Sequence, residues 1–326
     1  MPKLSAQTVY LGAIVVLAAA LLGYLALTSN GEAGVREWQL ADIPFNGQQA
    51  YTYLQDICDL GIRSSGSPGM TAQQDLLIGH FEQLGATVRR QEFTARHPRT
   101  GAAVPMANLV IEWHPERRER ILLAAHYDTR PFPDRDLRNP RGVFIGANDG
   151  ASGVALLMEL GREMPSLAGT LGVDFVLFDG EELVFREGDP YFLGSTHFAE
   201  QYVMSPPPHR YRWGVLLDMI GDADLHLPQE GHSVSWPETR PLVHAIWNKA
   251  KELGVREFRH RKGQEVRDDH LPLRNTARIP TCNIIDFDYP YWHTEQDVPA
   301  RCSALSLAKV GWVVREWLLE EVQREE

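Results

Sequence analysis

Four places in the chain set an acid or an imidazole at the end of an apolar, β-prone run. His126 follows Ile121-Leu122-Leu123-Ala124-Ala125, the pair Glu181-Glu182 follows the run from Val173 to Gly180, Asp218 follows Trp213-Gly214-Val215-Leu216-Leu217, and His293 closes Tyr291-Trp292-His293. Such runs read as buried strands. In an open α/β sheet the ligand site lies outside the carboxyl ends of the strands, so side chains delivered there converge on one place. Imidazole nitrogens and carboxylate oxygens are zinc donors, and three of them with one open position make a catalytic zinc site. The spacing points to a metalloenzyme.

Each residue is weighed against an ordinary role. Asp149 lies in Gly146-Ala147-Asn148-Asp149-Gly150-Ala151-Ser152-Gly153, where glycines allow close approach of backbone and ion. Taken alone it reads equally well as a helix N-cap. In His126-Tyr127-Asp128 the carboxylate is placed to orient the imidazole from behind. Adjacent acids such as Glu181-Glu182 usually belong to a solvated loop or a first helical turn. After so apolar a strand they can instead divide labour, one on a cation and the other free to move protons. Asp218, between Leu217 and Met219, needs a cation or hydrogen-bond donors if it is buried.

The elements that must hold these groups alternate. Helical spacing runs over Gln48 to Leu60 and Thr71 to Leu84, with a turn-rich loop from Arg63 to Gly69 between them. Met106 to Trp113 and Ile121 to Ala125 read as neighbouring strands, and Ser152 to Met164 as an amphipathic helix stopped by Pro165. Helices follow over Leu193 to Tyr202, Arg240 to Leu253 and Leu305 to Gln323. The pattern predicts an α/β fold: one domain over 47–326, with a central, mostly parallel or mixed sheet covered by helices on both faces.

Residues 1–30 stand apart, and 31–46 read as a linker. No charge occurs from Leu4 to Gly31, and the apolar run from Val9 to Leu27 is long enough to span a bilayer as a helix. With Lys3 on the short side, the sequence predicts an N-terminal transmembrane anchor and an extracytoplasmic catalytic domain; cleavage as a signal peptide would make the domain secreted. A net charge of −11 gives no footprint for nucleic acid. The cysteines, Cys58, Cys282 and Cys302, have no CxxC spacing and allow at most one disulfide.

Together, His126-Tyr127-Asp128-Thr129, Gly146-Ala147-Asn148-Asp149, Asp179-Gly180-Glu181-Glu182, Leu217-Asp218-Met219-Ile220-Gly221 and Trp292-His293-Thr294 resemble the M28 zinc peptidase superfamily. Within it the chain is most similar to the glutaminyl-peptide cyclotransferases, through Asp268-Asp269-His270-Leu271-Pro272, the Trp before His293, and Arg63 with Gly66-Ser67-Pro68-Gly69. The resemblance implies the zinc-aminopeptidase type of fold, with peptide or protein N-termini as substrates. It implies one zinc held by Asp149, Glu182 and His293, with Glu181 as acid/base, Asp218 and Asp268 as a carboxylate network beside it, and Trp292 as pocket wall. In an M28 aminopeptidase, His126, Asp149 and Asp218 would hold a second zinc. Two features depart from the cyclases: the loop Leu183 to Asp189 lacks their tryptophan, so one of its own aromatics would substitute, and the Asn148 to Gly153 loop is more peptidase-like. A third reading, a catalytically inactive interaction domain, would show lost ligands, and none is missing.

Overall fold

Strands β3 (Glu119–His126) and β4 (Gly172–Phe178) lie in the middle of the sheet, and apart from Glu119 every residue in them is buried. That explains why they read as continuous apolar runs without alternation. In the computed structural model, which describes residues 37–324, they pair in parallel with each other, and β3 pairs in parallel with β5 (Arg210–Asp218). A fourth parallel strand, β8 (Thr281–Ile285), adds beyond β5. On the other side an antiparallel hairpin, β1 (Thr87–Arg96) and β2 (Ala103–Trp113), joins β4. The order is β1-β2-β4-β3-β5-β8, a mixed sheet, with β6 (Leu227–Gln229) and β7 (Phe258–Lys262) in a small second one. The strands expected to be neighbours, β2 and β3, are therefore separated by β4.

Side chains of period two divide the core. Leu122, Ala124, Val176, Phe178 and Leu216 pack with Phe198 of α4 (Leu193–Met204) and Leu273 of α7 (His270–Asn275). On the opposite face Phe175 meets Phe81 and Trp113 edge-on, Phe81 coming from α2 (Pro68–Gln83). That face is covered by α3 (Ser152–Leu160), itself overlaid by α1 (Gly47–Asp59) and α8 (Ala304–Gln323). Because other helices cover it, α3 is buried at every position; the amphipathic helix expected through Met164 is instead an all-buried one ending at Leu160. Gly153 lets α3 approach: a Cβ there would meet the Leu217 carbonyl oxygen at 2.3 Å.

Gln39–Glu326 forms one compact unit, distinct from Met1–Trp38. Ile43 and Phe45, in the stretch expected to be linker, are buried, so packing begins before residue 47. The apolar run from Val9 to Leu27 lies outside the described residues; among those described no helix is long and apolar enough to cross a membrane. The three cysteines are free and buried.

Candidate active site

The carboxyl ends of the parallel strands deliver the chemistry. His126 is the last residue of β3, Asp218 the last of β5, and Glu181-Glu182 follow β4 by a turn in which Gly180 takes φ +78°. Asp149 enters from the loop before α3. It is not a cap: the N-cap of α3 is Ala151, and Asp149 Oδ2 is buried with no hydrogen-bond partner. His293 arrives differently from the expectation. β8 ends at Ile285, and Tyr291-Trp292-His293 is a loop in which Trp292 walls a pocket, with His293 at φ +57°. Asp268 comes from the segment just before α7.

These side chains form two overlapping donor sets, Asp149-Glu182-His293 and His126-Asp149-Asp218, all buried. His293 Nε2 lies 3.4 Å from Glu182 Oε1 and 3.6 Å from Asp149 Oδ2. Four ligands around a tetrahedral zinc at about 2.0–2.1 Å stand about 3.4 Å from one another, so these separations suit one shared cation. In the second set His126 Nε2 is 3.2 Å from both Asp149 Oδ1 and Asp218 Oδ1. The two oxygens of Asp149 thus face different sets.

Two buried carboxylates hold the donors through their backbone. Asp128 accepts the N–H groups of Glu181 and Glu182 at 3.1 and 2.9 Å, and sits 3.8 Å from His126 Nδ1. Asp297 accepts those of Asn148 and Asp149 at 2.8 and 3.1 Å, and the Tyr289 hydroxyl at 2.8 Å. The Asn148 side chain and Ser152 then tie this loop to Ile220 and Gly221 beyond β5. Asp134 Oδ1 lies 3.1 Å from His293 Nδ1, which leaves Nε2 to face the donor set. Arg130 grips Asp134 with two hydrogen bonds and donates to Glu182 Oε2 at 3.0 Å. Asp134, Arg130 and Asp297 escaped the sequence reading. The one available signal was spacing, since Asp297 follows His293 by four residues as Asp128 follows His126 by two.

Burial and mutual repulsion set the protonation. Burial, then the Glu182 charge, pushes the Glu181 carboxyl well above the usual range, with Asp268 and Asp269 adding to it. Asp268 is raised by burial, Asp218 and Asp269. Burial also acts to raise Glu182, but His293 and Arg130 outweigh it and hold that carboxylate low. His293 is lifted to about 9, burial being outweighed by Glu182 and Asp134. A cation bound there displaces that proton. For His126, burial is outweighed by the surrounding carboxylates of Asp128, Asp149 and Asp218, and the imidazole is raised well above its ordinary value.

A cavity of about 580 Å³ opens over this floor, lined by Asp149, Glu181, Glu182, Asp218, Asp268 and His293 below and by Tyr191, Phe192, Phe287 and Trp292 as walls. The Trp292 ring centre is 4.2 Å from that of His293 and 4.7 Å from that of Phe287. The loop after Glu182 does not supply the missing aromatic. Phe185 turns away to pack on His97 and Phe132, and Tyr191 and Phe192, further along, take that side.

A mixed sheet with buried acids and imidazoles converging at its carboxyl edge defines an enzyme domain able to hold a metal ion. Residues 108–318 match peptidase family M28; the chain belongs to that family, within its glutaminyl cyclase branch. It is similar to the glutaminyl cyclase of Fimbriiglobus ruber, with 40% identity, a TM-score of 0.81 and coverage of 86% of this chain and 96% of that one. The glutaminyl-peptide cyclotransferase of Bos taurus is 26% identical over 294 residues, 79% of this chain and 78% of that protein. A leucine aminopeptidase precursor from Bacteroides thetaiotaomicron is 31% identical with a TM-score of 0.78, covering 86% of this chain and 98% of that one.

Proposed function

We propose that the chain is a zinc-dependent glutaminyl-peptide cyclotransferase that converts N-terminal glutamine of peptides and proteins to pyroglutamate with release of ammonia. The observation that carries this reading is the Asp149-Glu182-His293 donor set with Glu181 buried beside it. Asp149 Oδ2 and His293 Nε2 are buried without hydrogen-bond partners, as atoms awaiting a cation would be. Zinc held there by Asp149, Glu182 and His293 would polarise the side-chain amide carbonyl of the substrate glutamine. The α-amine is tethered to its target, so the protein has mainly to position it and move protons. Glu181, basic because of its burial among acids, takes the proton as the α-nitrogen bonds to the amide carbon. It returns that proton to the departing nitrogen as the old C–N bond breaks and ammonia leaves. Glu182, with Asp269 and Asp268, keeps Glu181 raised, Asp218 acts on Asp268 in the same sense, and Trp292 with Phe287 closes the pocket against water.

The one-zinc reading makes His126 a cation rather than a ligand. As an imidazolium 3.2 Å from Asp149 and from Asp218, it supplies between those carboxylates the positive charge a second cation would bring. The aminopeptidase reading rests on the same three side chains: with His126 neutral they form a second zinc set, and Glu181 would take its proton from water. Assaying Gln-peptides and Leu-peptides in parallel on protein with its zinc quantified separates the two. Ammonia without free amino acid and one zinc per chain support the cyclase; liberated N-terminal residues with two zinc ions refute it. The uncharged Val9 to Leu27 run preceded by Lys3 supports a membrane-anchored protein with this domain outside the cytoplasm, or a secreted one if that run is cleaved. Protease shaving of intact cells tests that placement.

A further inference from the structure

The floor of the cavity is acidic, but its mouth carries two arginines with no acidic partner. The guanidinium carbon of Arg135 lies 3.9 Å from the Trp292 ring centre, and that of Arg267 lies 5.8 Å from the Tyr191 ring centre. Both side chains are exposed, both line the cavity, and among the described residues no ion pair to a carboxylate involves either. The other groups around them are engaged. Arg130 is committed to Asp134 and Glu182, Asp189 accepts from Phe185, Arg186 and the Arg186 side chain, and Glu265 faces Lys262 at 3.4 Å. Of the acids at the mouth, Glu187 is the one with no cation partner among the described residues, so two unpaired guanidiniums face one unpaired carboxylate above a negative floor.

We propose that Arg135 and Arg267 clamp a carboxylate on the residue after the substrate's N-terminal glutamine, so that the pocket selects peptides beginning Gln-Glu or Gln-Asp. The glutamine identity rests on the cyclase reading; the clamp does not. A first residue seated between the donor set and Trp292 must send its chain out past the guanidinium on that ring. One further residue advances the chain by only about 3.3–3.6 Å, so the second side chain is the first to reach the mouth. A guanidinium lying over an aromatic face retains N–H donors for a planar carboxylate and has less side-chain freedom left to lose. The opposed charges, acids below and arginines above, match a substrate with an α-ammonium at one end and a carboxylate at the other. A side-chain carboxylate and the free C-terminus of a dipeptide offer the same chemistry, and the substrates must separate them.

The test compares kcat/KM, and affinity by calorimetry, for Gln-Glu-Ala-amide and Gln-Gln-Ala-amide, with Gln-Ala and Gln-Ala-amide as the terminal-carboxylate pair. The acidic tripeptide should be preferred roughly three- to tenfold, the advantage shrinking as ionic strength rises. The acidic-to-neutral ratio should fall to near one in Arg135→Gln/Arg267→Gln and be largely restored in Arg135→Lys/Arg267→Lys. A wild-type ratio near one overturns the clamp, and so does a preference that survives in the double glutamine variant. Preference confined to Gln-Ala over its amide shows that the terminal carboxylate, not the second side chain, is bound, and overturns the Gln-Glu specificity. If the domain hydrolyses instead of cyclising, the cyclase reading fails; the same ratio on Leu-Glu-Ala-amide and Leu-Gln-Ala-amide then decides the clamp.

Discussion

Asp297 is the buried carboxylate whose loss should be felt furthest from where it sits. Its oxygens take the Asn148 N–H and the Tyr289 hydroxyl on Oδ1 and the Asp149 N–H on Oδ2. Asparagine keeps the volume but replaces one oxygen with an NH2 group. In the less costly orientation its carbonyl serves Asn148 and Tyr289, and the NH2 faces the Asp149 N–H, donor against donor. One buried N–H left unpaired costs about 1–3 kcal/mol. At roughly 2–4 °C per kcal/mol for a domain somewhat smaller than this one, Tm should fall by several degrees. The orphaned N–H belongs to Asp149, whose two oxygens face both donor sets, so zinc affinity should drop tenfold to a hundredfold. Chelator competition on Asp297→Asn measures that affinity, and thermal unfolding of apo and zinc-loaded protein measures the stability. Asp286→Asn is the control, since Asp286 is equally buried and also accepts backbone N–H groups, from His226 and Asp288, outside the donor sets. Unchanged zinc affinity in Asp297→Asn, or an equal loss in Asp286→Asn, would show the positioning argument to be wrong.

Glu181→Gln should retain zinc and lose on the order of a hundredfold to ten-thousandfold in turnover; loss of zinc would mean the two glutamates have been assigned in reverse. His293→Ala removes the imidazole that Asp134 orients, and metal analysis should find zinc lost from a folded protein, full occupancy being the refuting result. Trp292→Ala, which deletes ring contacts with His293 and Phe287, should lower cyclisation about tenfold with zinc in place, at about 0.5–1.5 kcal/mol per aromatic pair; undiminished kcat/KM counts against Trp292 as a wall. Glu159, on α3, is raised to about 7 by burial, Arg162 opposing and Glu163 adding. Its folded-state pKa exceeds its unfolded one, so the stability it contributes is complete below the ordinary carboxyl range and is lost as pH rises toward 7. Glu159→Gln should therefore raise Tm relative to wild type more at pH 8 than at pH 5, and an equal difference at both would contradict this.

What could be read from the residues followed from burial. β3, β4 and β5 lie inside the sheet, so their apolar runs announced both the strands and the groups at their ends, His126, Glu181 and Asp218. β1 was missed because Thr87–Arg96 is an edge strand with half-exposed, charged residues and little apolar alternation. The aromatic run before His293 misled for a different reason: it is a loop whose rings pack on a small cluster with Met219 and Ile285, with Trp292 also walling the cavity, and not a strand of the sheet. The insertion of β4 between β2 and β3 depends on long-range pairing that no local pattern carries. Asp297 and Asp134 stood in polar loops where acids are common, and the Asp297 carboxylate meets its Asn148 and Asp149 partners only after the chain folds across nearly half its length.

The choice between one zinc and two was hidden for a different reason. Asp149 belongs to both donor sets, one oxygen in each, and His126 with Asp218 completes the second set whichever chemistry operates. A proton on His126 and a cation beside it are alternative ways to neutralise the same pair of carboxylates. The residues are identical in the two cases. What separates them is the balance between the hydrogen bonds that His126 donates to those acids, which hold its proton, and the affinity of a second ion for the same nitrogen.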